Sequence, residues 1–264
     1  MQRIVSVALL TSLTTFATPV LAQRSDFHWE KALAAGSEVS IHNINGNVKV
    51  VPSTTGRVEV TGIKRGNSDY FDRIKASVQE SSRGITVCVL NDDADSYCDD
   101  NGSHSHGRGD RDWHNVSMNL EVAVPANVEV SAGSVSGDVE ITGAHGDVSA
   151  SSVSGDIKLM GLYASSVQAN SVSGDVDVRV DELTGTGAFS FHSVSGDVTL
   201  EVPRDFGADL TMSTVSGDIN SDFPITLGNG RTSRRSLSAR IGAGGRRLDV
   251  STVSGDLKLR QGSR

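Results

Sequence analysis

At 264 residues the chain is long enough for one or two domains, and its formal charge of −8 repels a phosphate backbone, so nucleic acid is not the expected partner. With 28 glycines, 5 prolines and 5% aromatics, the composition is that of many short strands joined by tight turns, not of a large aromatic core.

Residues 1–22 read as a secretory leader. Arg3 supplies the positive n-region, Ile4 to Ala17 is apolar with Ser and Thr interspersed, and Val20-Leu21-Ala22 offers a small-residue cleavage site before Gln23. The apolar run is too short, and too polar at its end, to span a bilayer. No Cys follows the cleavage site, which argues against a lipoprotein anchor, and no later stretch is long enough to cross a membrane. The expectation is an exported protein, periplasmic or at the cell surface, with no integral span after leader removal. Loss of Arg3 makes the charge one unit more negative.

Residues 23–125 predict a β-rich lead. Val39-Ser40-Ile41 and Val48-Lys49-Val50-Val51 flank Asn45-Gly46, a signal for a hairpin or for a coil turn. Val58-Glu59-Val60 and Ile85-Thr86-Val87-Cys88-Val89 read as strands, and Tyr70 to Ser81 as a short helix or a strand. Cys88 and Cys98 are the only cysteines, and in an exported chain a pair this close is expected to be a disulfide, worth roughly 3 kcal/mol by loop closure. Leu120 to Pro125 is a strand ended by proline. The lead is read as the opening of the same architecture that follows, not as a separate fold.

From residue 126 onward the chain repeats. Val-Ser-Gly-Asp recurs six times, at Val135–Asp138, Val153–Asp156, Val172–Asp175, Val194–Asp197, Val215–Asp218 and Val253–Asp256, with Asp-to-Asp intervals of 18, 19, 22, 21 and 38 residues. The last interval reads as two of 19, with one copy decayed or carrying an insertion. One residue after each Asp stand Val139, Ile157, Val176, Val198, Ile219 and Leu257; three after stand Ile141, Leu159, Val178, Leu200, Ser221 and Leu259. Eight before stand Val130, Val148, Val167, Phe189, Leu210 and Leu248; six before stand Ala132, Ala150, Ala169, Phe191, Met212 and Val250. Polar residues fill the positions between. Each repeat therefore predicts two short strands with one apolar side, joined by a Ser-Gly turn. Such a repeat cannot bury its apolar side alone, so stacking is required. The prediction is an all-β fold, a parallel β-helix or solenoid with coils of about 20 residues, and right-handed crossovers are preferred. Within the decayed interval, Ser238 to Ile241 alternates, Gly242 to Gly245 turns and Leu248 to Thr252 alternates again, while Asn229 to Arg235 reads as a basic surface loop.

The repeated Ser-Val-Ser-Gly-Asp and Thr-Val-Ser-Gly-Asp turns, the strand-ending Val124-Pro125-Ala126-Asn127-Val128 before them, and the leader followed by a short β-rich lead resemble the DUF4097 family of β-strand-repeat, adhesin-like proteins. The resemblance covers most of the chain after the leader. It implies a β-helical protein of the envelope or surface, and it carries no catalytic residues. The Asp/His-rich insertion at 91–114 departs from the family pattern.

Two clusters are candidate sites. Asp138, Asp156, Asp175, Asp197, Asp218 and Asp256, each preceded by Gly137, Gly155, Gly174, Gly196, Gly217 or Gly255, would stack at the turn. They read either as a Ca²⁺ ladder or as turn residues whose carboxylates accept backbone N–H groups; the period of about twenty and the Gly-Asp order favour the second. The insertion holds Asp92, Asp93, Asp95, Asp99, Asp100, His104, His106, Asp110, Asp112 and His114, ligand types for Ca²⁺, Zn²⁺ or Ni²⁺, but its Gly, Ser and like charges also describe a solvated loop. Arg108-Gly109-Asp110 matches an integrin-type tripeptide, a pattern common by chance. No nucleophile triad, phosphate loop or dinucleotide fingerprint is present. His192 reads as a solvated outward histidine, and the outward columns of the repeats do not bring carboxylates together for hydrolysis of a glycan. The expectation is a non-enzymatic, adhesin-like binding or structural protein with no cofactor, offering stacked Ser, Thr and Asn side chains to an envelope protein or glycan. The alternatives are a carbohydrate-active enzyme on the same fold and a metal-responsive sensor acting through 91–114.

Overall fold

Period-2 alternation of apolar and polar residues makes each repeat a pair of half-buried strands, and the computed structural model, which describes residues 26–91, 95–104, 116–225 and 232–262, places the two members of each pair in different sheets. In chain order the strands are β1 (Phe27–Lys31), β2 (Glu38–Asn45), β3 (Val48–Pro52), β4 (Val58–Gly66), β5 (Ile74–Glu80), β6 (Gly84–Asn91), β7 (Tyr97–Asp99), β8 (Gly102–His104) and β9 (Val116–Val124). They continue as β10 (Glu129–Ser136), β11 (Val139–Thr142), β12 (Val148–Ser154), β13 (Ile157–Ala164), β14 (Val167–Ser173), β15 (Val176–Leu183), β16 (Phe189–Ser195) and β17 (Val198–Val202). The last are β18 (Ala208–Ser216), β19 (Ile219–Ser221), β20 (Thr232–Ser233), β21 (Ser236–Ile241), β22 (Arg246–Ser254) and β23 (Leu257–Gln261).

A ten-stranded sheet runs β1-β4-β9-β3-β11-β13-β15-β17-β23-β19 in space. An eleven-stranded sheet runs β20-β21-β18-β22-β16-β14-β12-β10-β2-β6-β5, and β7 with β8 forms a separate hairpin. Between the two large sheets lies one apolar cluster that takes residues from Val39 to Leu259, so the lead and the repeats share a core. The columns read from the sequence point into it. Val139, Ile157, Val176, Val198 and Leu257 are buried, as are Ile141, Leu159, Val178, Leu200 and Leu259. Ile219 and Ser221 are half-buried because β19 forms the edge of its sheet.

The rung order departs from chain order. Strands β22 and β23 insert between β16/β17 and β18/β19, so the corner at Asp256 lies between those at Asp197 and Asp218. The interval of 38 residues is therefore not two stacked coils with a decayed copy between them. Its alternating segment is β21, which pairs antiparallel with β18 outside the parallel stack. The lead departs in the same way. Its β2 and β3 join the parallel ladders beside β10 and β11, whereas β4 pairs antiparallel with both β9 and β1, and β5 antiparallel with β6. The Asn45-Gly46 signal is a corner between sheets, not a hairpin. Tyr70 to Ser81 divides into a 3₁₀ turn at Ser68–Arg73, capped by the Asn67 side chain, and strand β5.

The returning strand β22 is anchored by Arg246. The residue is 5% exposed, and its guanidinium donates to the carbonyls of Ser165, Gly185 and Gly187 and lies 4.6 Å over the Phe189 ring. Burial lowers its pKa. Three carbonyls and an aromatic face take the place of water around the charge.

A pair of glycines tests the corner packing. A Cβ on Gly155 would fall inside 3.0 Å of the Gly137 carbonyl and of no flexible side chain, whereas Gly56, at φ +72, has nothing within 4 Å. Gly155→Ala is expected to destabilise by about 3 kcal/mol, because backbone must move. Gly56→Ala should cost about 1 kcal/mol, the strain of a left-handed Ala alone. Denaturant unfolding of both variants checks the difference; equal losses would contradict the close stacking.

Candidate functional site

The Ser/Thr-Val-Ser-Gly-Asp corners divide their side chains in one way, except that the buried Ser171 hydroxyl meets no hydrogen-bond partner among the described residues. The first hydroxyl points inward: Ser134, Ser152, Ser193, Thr214 and Thr252 donate to the carbonyls of Gly46, Gly137, Gly174, Gly255 and Gly196 at 3.0 to 3.4 Å. The Val lies on the outer face. The Gly sits against the Gly of the neighbouring rung, and the Asp carboxylate spans to the next corner. Asp138 Oδ1 accepts from the Asp156 N–H at 3.0 Å, Asp156 from Asp175 at 2.9 Å, Asp175 from Asp197 at 2.8 Å, Asp197 from Asp256 at 2.8 Å and Asp256 from Asp218 at 2.9 Å. The carboxylates thus close the neighbouring turn rather than their own. Asn119 and Asn47 begin the ladder, Asn47 Oδ1 accepting from the Asp138 N–H at 3.0 Å. Asn43-Ile44-Asn45-Gly46-Asn47 is therefore another corner with amides at the Ser and Asp positions, a signal present in the sequence at the same offsets. Lys258 Nζ lies 2.7 Å from Asp197 Oδ2; this hydrogen bond lowers the Asp197 pKa, helped by the Asp256 N–H, and raises that of Lys258.

The outer face of the ten-stranded sheet carries a charge ladder that only the spatial order reveals. The residues in register across it are Glu121, Lys49, Glu140, Lys158, Asp177, Thr199, Lys258 and Asn220. Sign alternates over the first five. Beside it, where β4 borders β9, a groove of about 380 Å³ is lined by Asn47, Lys49, Thr61, Arg65, Glu140 and Lys158, among others. Glu121, Asp138 and Asp156 also line it. Carboxylates and cations do converge here, contrary to the expectation from the repeat columns, because β3 and β9 of the lead dock beside β11 and β13. The backbone amides and carbonyls of the sheet are used in ladders, so recognition falls to these side chains. Alternating ammonium and carboxylate groups can donate to and accept from a hydroxyl- or amide-bearing chain.

On the opposite sheet, the hairpin β7–β8 is tied to β6 by the bond between Cys88 and Cys98, whose Cα atoms are 5.9 Å apart. Asp92, Asp93 and His106 lie outside the described residues, as do Arg108-Gly109-Asp110, Asp112 and His114. Asp95, Asp99, Asp100 and His104 are described. Asp99 accepts from the Asn101 N–H at 2.7 Å and pairs with His104 Nε2 at 3.0 Å. Those two hydrogen bonds, the backbone one first, lower its pKa. Tyr97 stacks on His104 with ring centroids 4.8 Å apart. Among the described residues no group of three or more His, Cys, Asp or Glu side chains is placed to hold a metal ion. The hairpin instead covers His42, a residue the sequence did not single out: Gly102 lies against its ring, and Ser40 Oγ is 2.9 Å from its Nε2. Burial lowers the His42 pKa from 6.5, against the pull of Glu38 and Asp99 and with that of His104. His192 is not simply solvated. Its ring is hydrogen-bonded to Ser190 at 2.9 Å and to Ser251 at 2.7 Å, crossing from β16 to β22.

Two large sheets in which most neighbours are parallel, joined rung by rung through a repeated Gly-Asp corner, define an all-β repeat protein. The chain belongs to the Toastrack DUF4097 family, whose profile matches residues 32–260. Similar solved structures include a protein proposed to act in cell adhesion from Clostridium sporogenes, 9% identical, with a TM-score of 0.49 and coverage of 89% of this chain and 99% of that one. A proposed adhesin from Bacteroides fragilis is 13% identical, with a TM-score of 0.43 and coverage of 88% and 95%. No curated protein matches. Among the described residues no helix is long and apolar enough to cross a membrane.

The position of His42 sets a pH dependence. A His whose folded pKa lies below its unfolded value binds fewer protons when folded, so stability rises with pH across the window between the two. Acidification below the unfolded value of 6.5 should therefore lower the melting temperature. His42→Asn should remove part of that loss, which parallel melts at neutral and mildly acidic pH will read. An identical pH response in both proteins would show that His42 is not a contributor.

Proposed function

We propose that this is an exported, non-enzymatic β-solenoid, right-handed with coils of about twenty residues, that binds a glycan or protein of the cell envelope in an adhesin-like manner. The observation that carries the reading is the groove beside the charge ladder, where Lys49 and Lys158 alternate with Glu121 and Glu140 along the sheet and Arg65 of β4 adds a further cation to the lining. Rigid strands hold such a row of groups in fixed spacing, which favours a polymer with repeated hydroxyls or amides over a small apolar ligand. Asp138 and Asp156 each have one oxygen engaged by the next rung, and so serve the wall rather than the ligand.

The same groove favours a second reading, a carbohydrate-active enzyme, since Glu121 and Glu140 stand two rungs apart with Lys49 between them. At about 9.6 Å for two rungs, the spacing falls near the upper end of that of inverting hydrolases, roughly 6.5–9.5 Å. Each of these Glu residues stands next to a Lys in the ladder, as in a charge-paired binding face, which is why binding is preferred.

A glycan array and a pull-down from envelope extract with the purified protein test the proposal. Lys49→Ala with Lys158→Ala should weaken any ligand found by about tenfold or more, with little change in melting temperature, since both side chains are exposed. Retained affinity in the double variant would move the site elsewhere. Saturable cleavage of a polysaccharide, lost in Glu140→Gln, would replace binding with catalysis.

A further inference from the structure

The Val side chain of each corner stands outside the core and takes no part in the corner's hydrogen bonds. Val135, Val153, Val172, Val194, Val253 and Val215 are 46 to 64% exposed, and with Tyr97 they make up the large exposed hydrophobics among the described residues. In spatial order they form a single row along the outer face of the eleven-stranded sheet, one per rung, ~4.8 Å apart. The next outer column on the same strands is Gly133, Ser151, Asn170, His192, Ser251 and Ser213. Its first members are small. Between the two columns lies a trough lined by Gly133, Ser151 and Asn170, with Val135, Val153 and Val172 along its other side and with His42 and Ser103 also lining it. The Asp ladder lies beyond the row on the other side, three residues further along the chain.

We propose that this ridge and trough form a self-complementary interface through which two copies of the chain pair side by side. Three arguments select a second copy. A partner that meets the row rung for rung must share its rise. A helix presents apolar residues about every 5.3 Å and a strand presents one face about every 6.7 Å, so over five intervals they drift by roughly 2 Å and 10 Å. Another copy does not drift. Shape supplies the second argument. A two-fold axis parallel to the row, lying between ridge and trough, seats Val135, Val153 and Val172 of each copy over the trough of the other, whereas an axis across the row sets ridge on ridge. Charge supplies the third. The parallel axis carries the two Asp ladders to opposite rims of the contact, whereas the crosswise axis brings them face to face.

Six half-exposed valines present a few hundred Å², less than the ~800 Å² per partner of a standard stable complex. The dimer is therefore weak, with a dissociation constant on the order of micromolar, and depends on the trough walls as well as on the ridge. Because both copies carry the formal charge of −8, added salt strengthens the association by screening their repulsion. A cationic peptide or protein on the same surface would show the opposite salt dependence.

Sedimentation equilibrium of the purified protein over a range of concentrations and at low and high salt tests this. The expected result is a monomer–dimer equilibrium that tightens with salt. Val153→Thr with Val172→Thr keeps β-branched side chains and so the strand geometry, removes apolar surface from the ridge, and should weaken dimerisation by about tenfold or more with the melting temperature unchanged. Val172→Lys, a single charge on the ridge, gives an independent reading and should abolish the dimer. A protein that is monomeric at every concentration, a dimer indifferent to these substitutions, or one that dissociates with salt would overturn the proposal.

Discussion

Neighbouring corners pass so close that only glycine fits between them. At Gly155, Gly174 and Gly196 the space of a side chain is taken by the carbonyl of the glycine one rung away. Much of the motif follows from that approach. The carbonyls of Gly46, Gly137, Gly174, Gly196 and Gly255 each accept from an inward hydroxyl three residues before the next corner's Gly. The N–H of the residue after each Gly points along the stack, where the neighbouring Asp supplies the acceptor. A row of carboxylates at ~4.8 Å carries a repulsion of about 0.9 kcal/mol per adjacent pair in water. A hydrogen bond to a charged acceptor contributes about 1.5–3 kcal/mol. The hydrogen bond wins, and among the described residues only Asp197 of the row is paired with a cation, Lys258. Ser, Gly and Asp are thus consequences of one contact, and Val is not.

A stack of parallel strands leaves an open edge at each end, a template for uncontrolled pairing. Three of the four sheet edges are managed by departing from chain order, and the fourth ends on the three-residue strand β19. At one end β4 and β1 flank β9, and β5 flanks β6, all antiparallel. At the other, β21 and β20 flank β18 antiparallel, and the chain then returns to insert its last rung beneath the outermost one. The insertion places β23 between two parallel neighbours instead of leaving it at the edge. Arg246 fixes the point of re-entry, since its guanidinium bridges carbonyls from two successive connections, at Ser165 and at Gly185 and Gly187. Terminal caps of this kind are what a repeat array needs to remain soluble and finite.

The inward columns were legible in the sequence because burial imposes strict alternation on them, and Val176 or Leu159 allows no other register. The rung order was not legible, for a reason built into the repeat. Corners with the same Val-Ser-Gly-Asp can stack on one another in any order, so the motif itself carries no information about sequence of assembly. The 38-residue interval looked like two coils because β21 alternates as a rung does; its antiparallel partner β18 is a tertiary fact. The corner at Asn43 to Asn47 was obscured because Asn offers the same acceptor as Asp and the same donor as Ser under a different letter. The groove could not be seen at all, since Lys49 and Glu121 are far apart in the chain and meet only when β3 docks on β9.

The two outer faces then differ in kind. The ten-stranded sheet carries alternating charge and a groove, and its chemistry suits a hydrated polymer that exchanges hydrogen bonds. The eleven-stranded sheet carries a valine row whose repetition the corner contact does not demand. Since the sheets lie back to back on one core, pairing through the valine row directs both grooves outward and away from each other. A polar groove on an exposed sheet binds weakly by itself, because each hydrogen bond to the ligand replaces one to water. Facing away from each other, the two grooves of a dimer cannot meet one surface together, so on the proposed reading the dimer links two separate polymer strands rather than gaining avidity on one. The weak apolar contact and the weak polar one are then parts of a single binding device, and a rigid stack of rungs is the scaffold that fixes the distance between them.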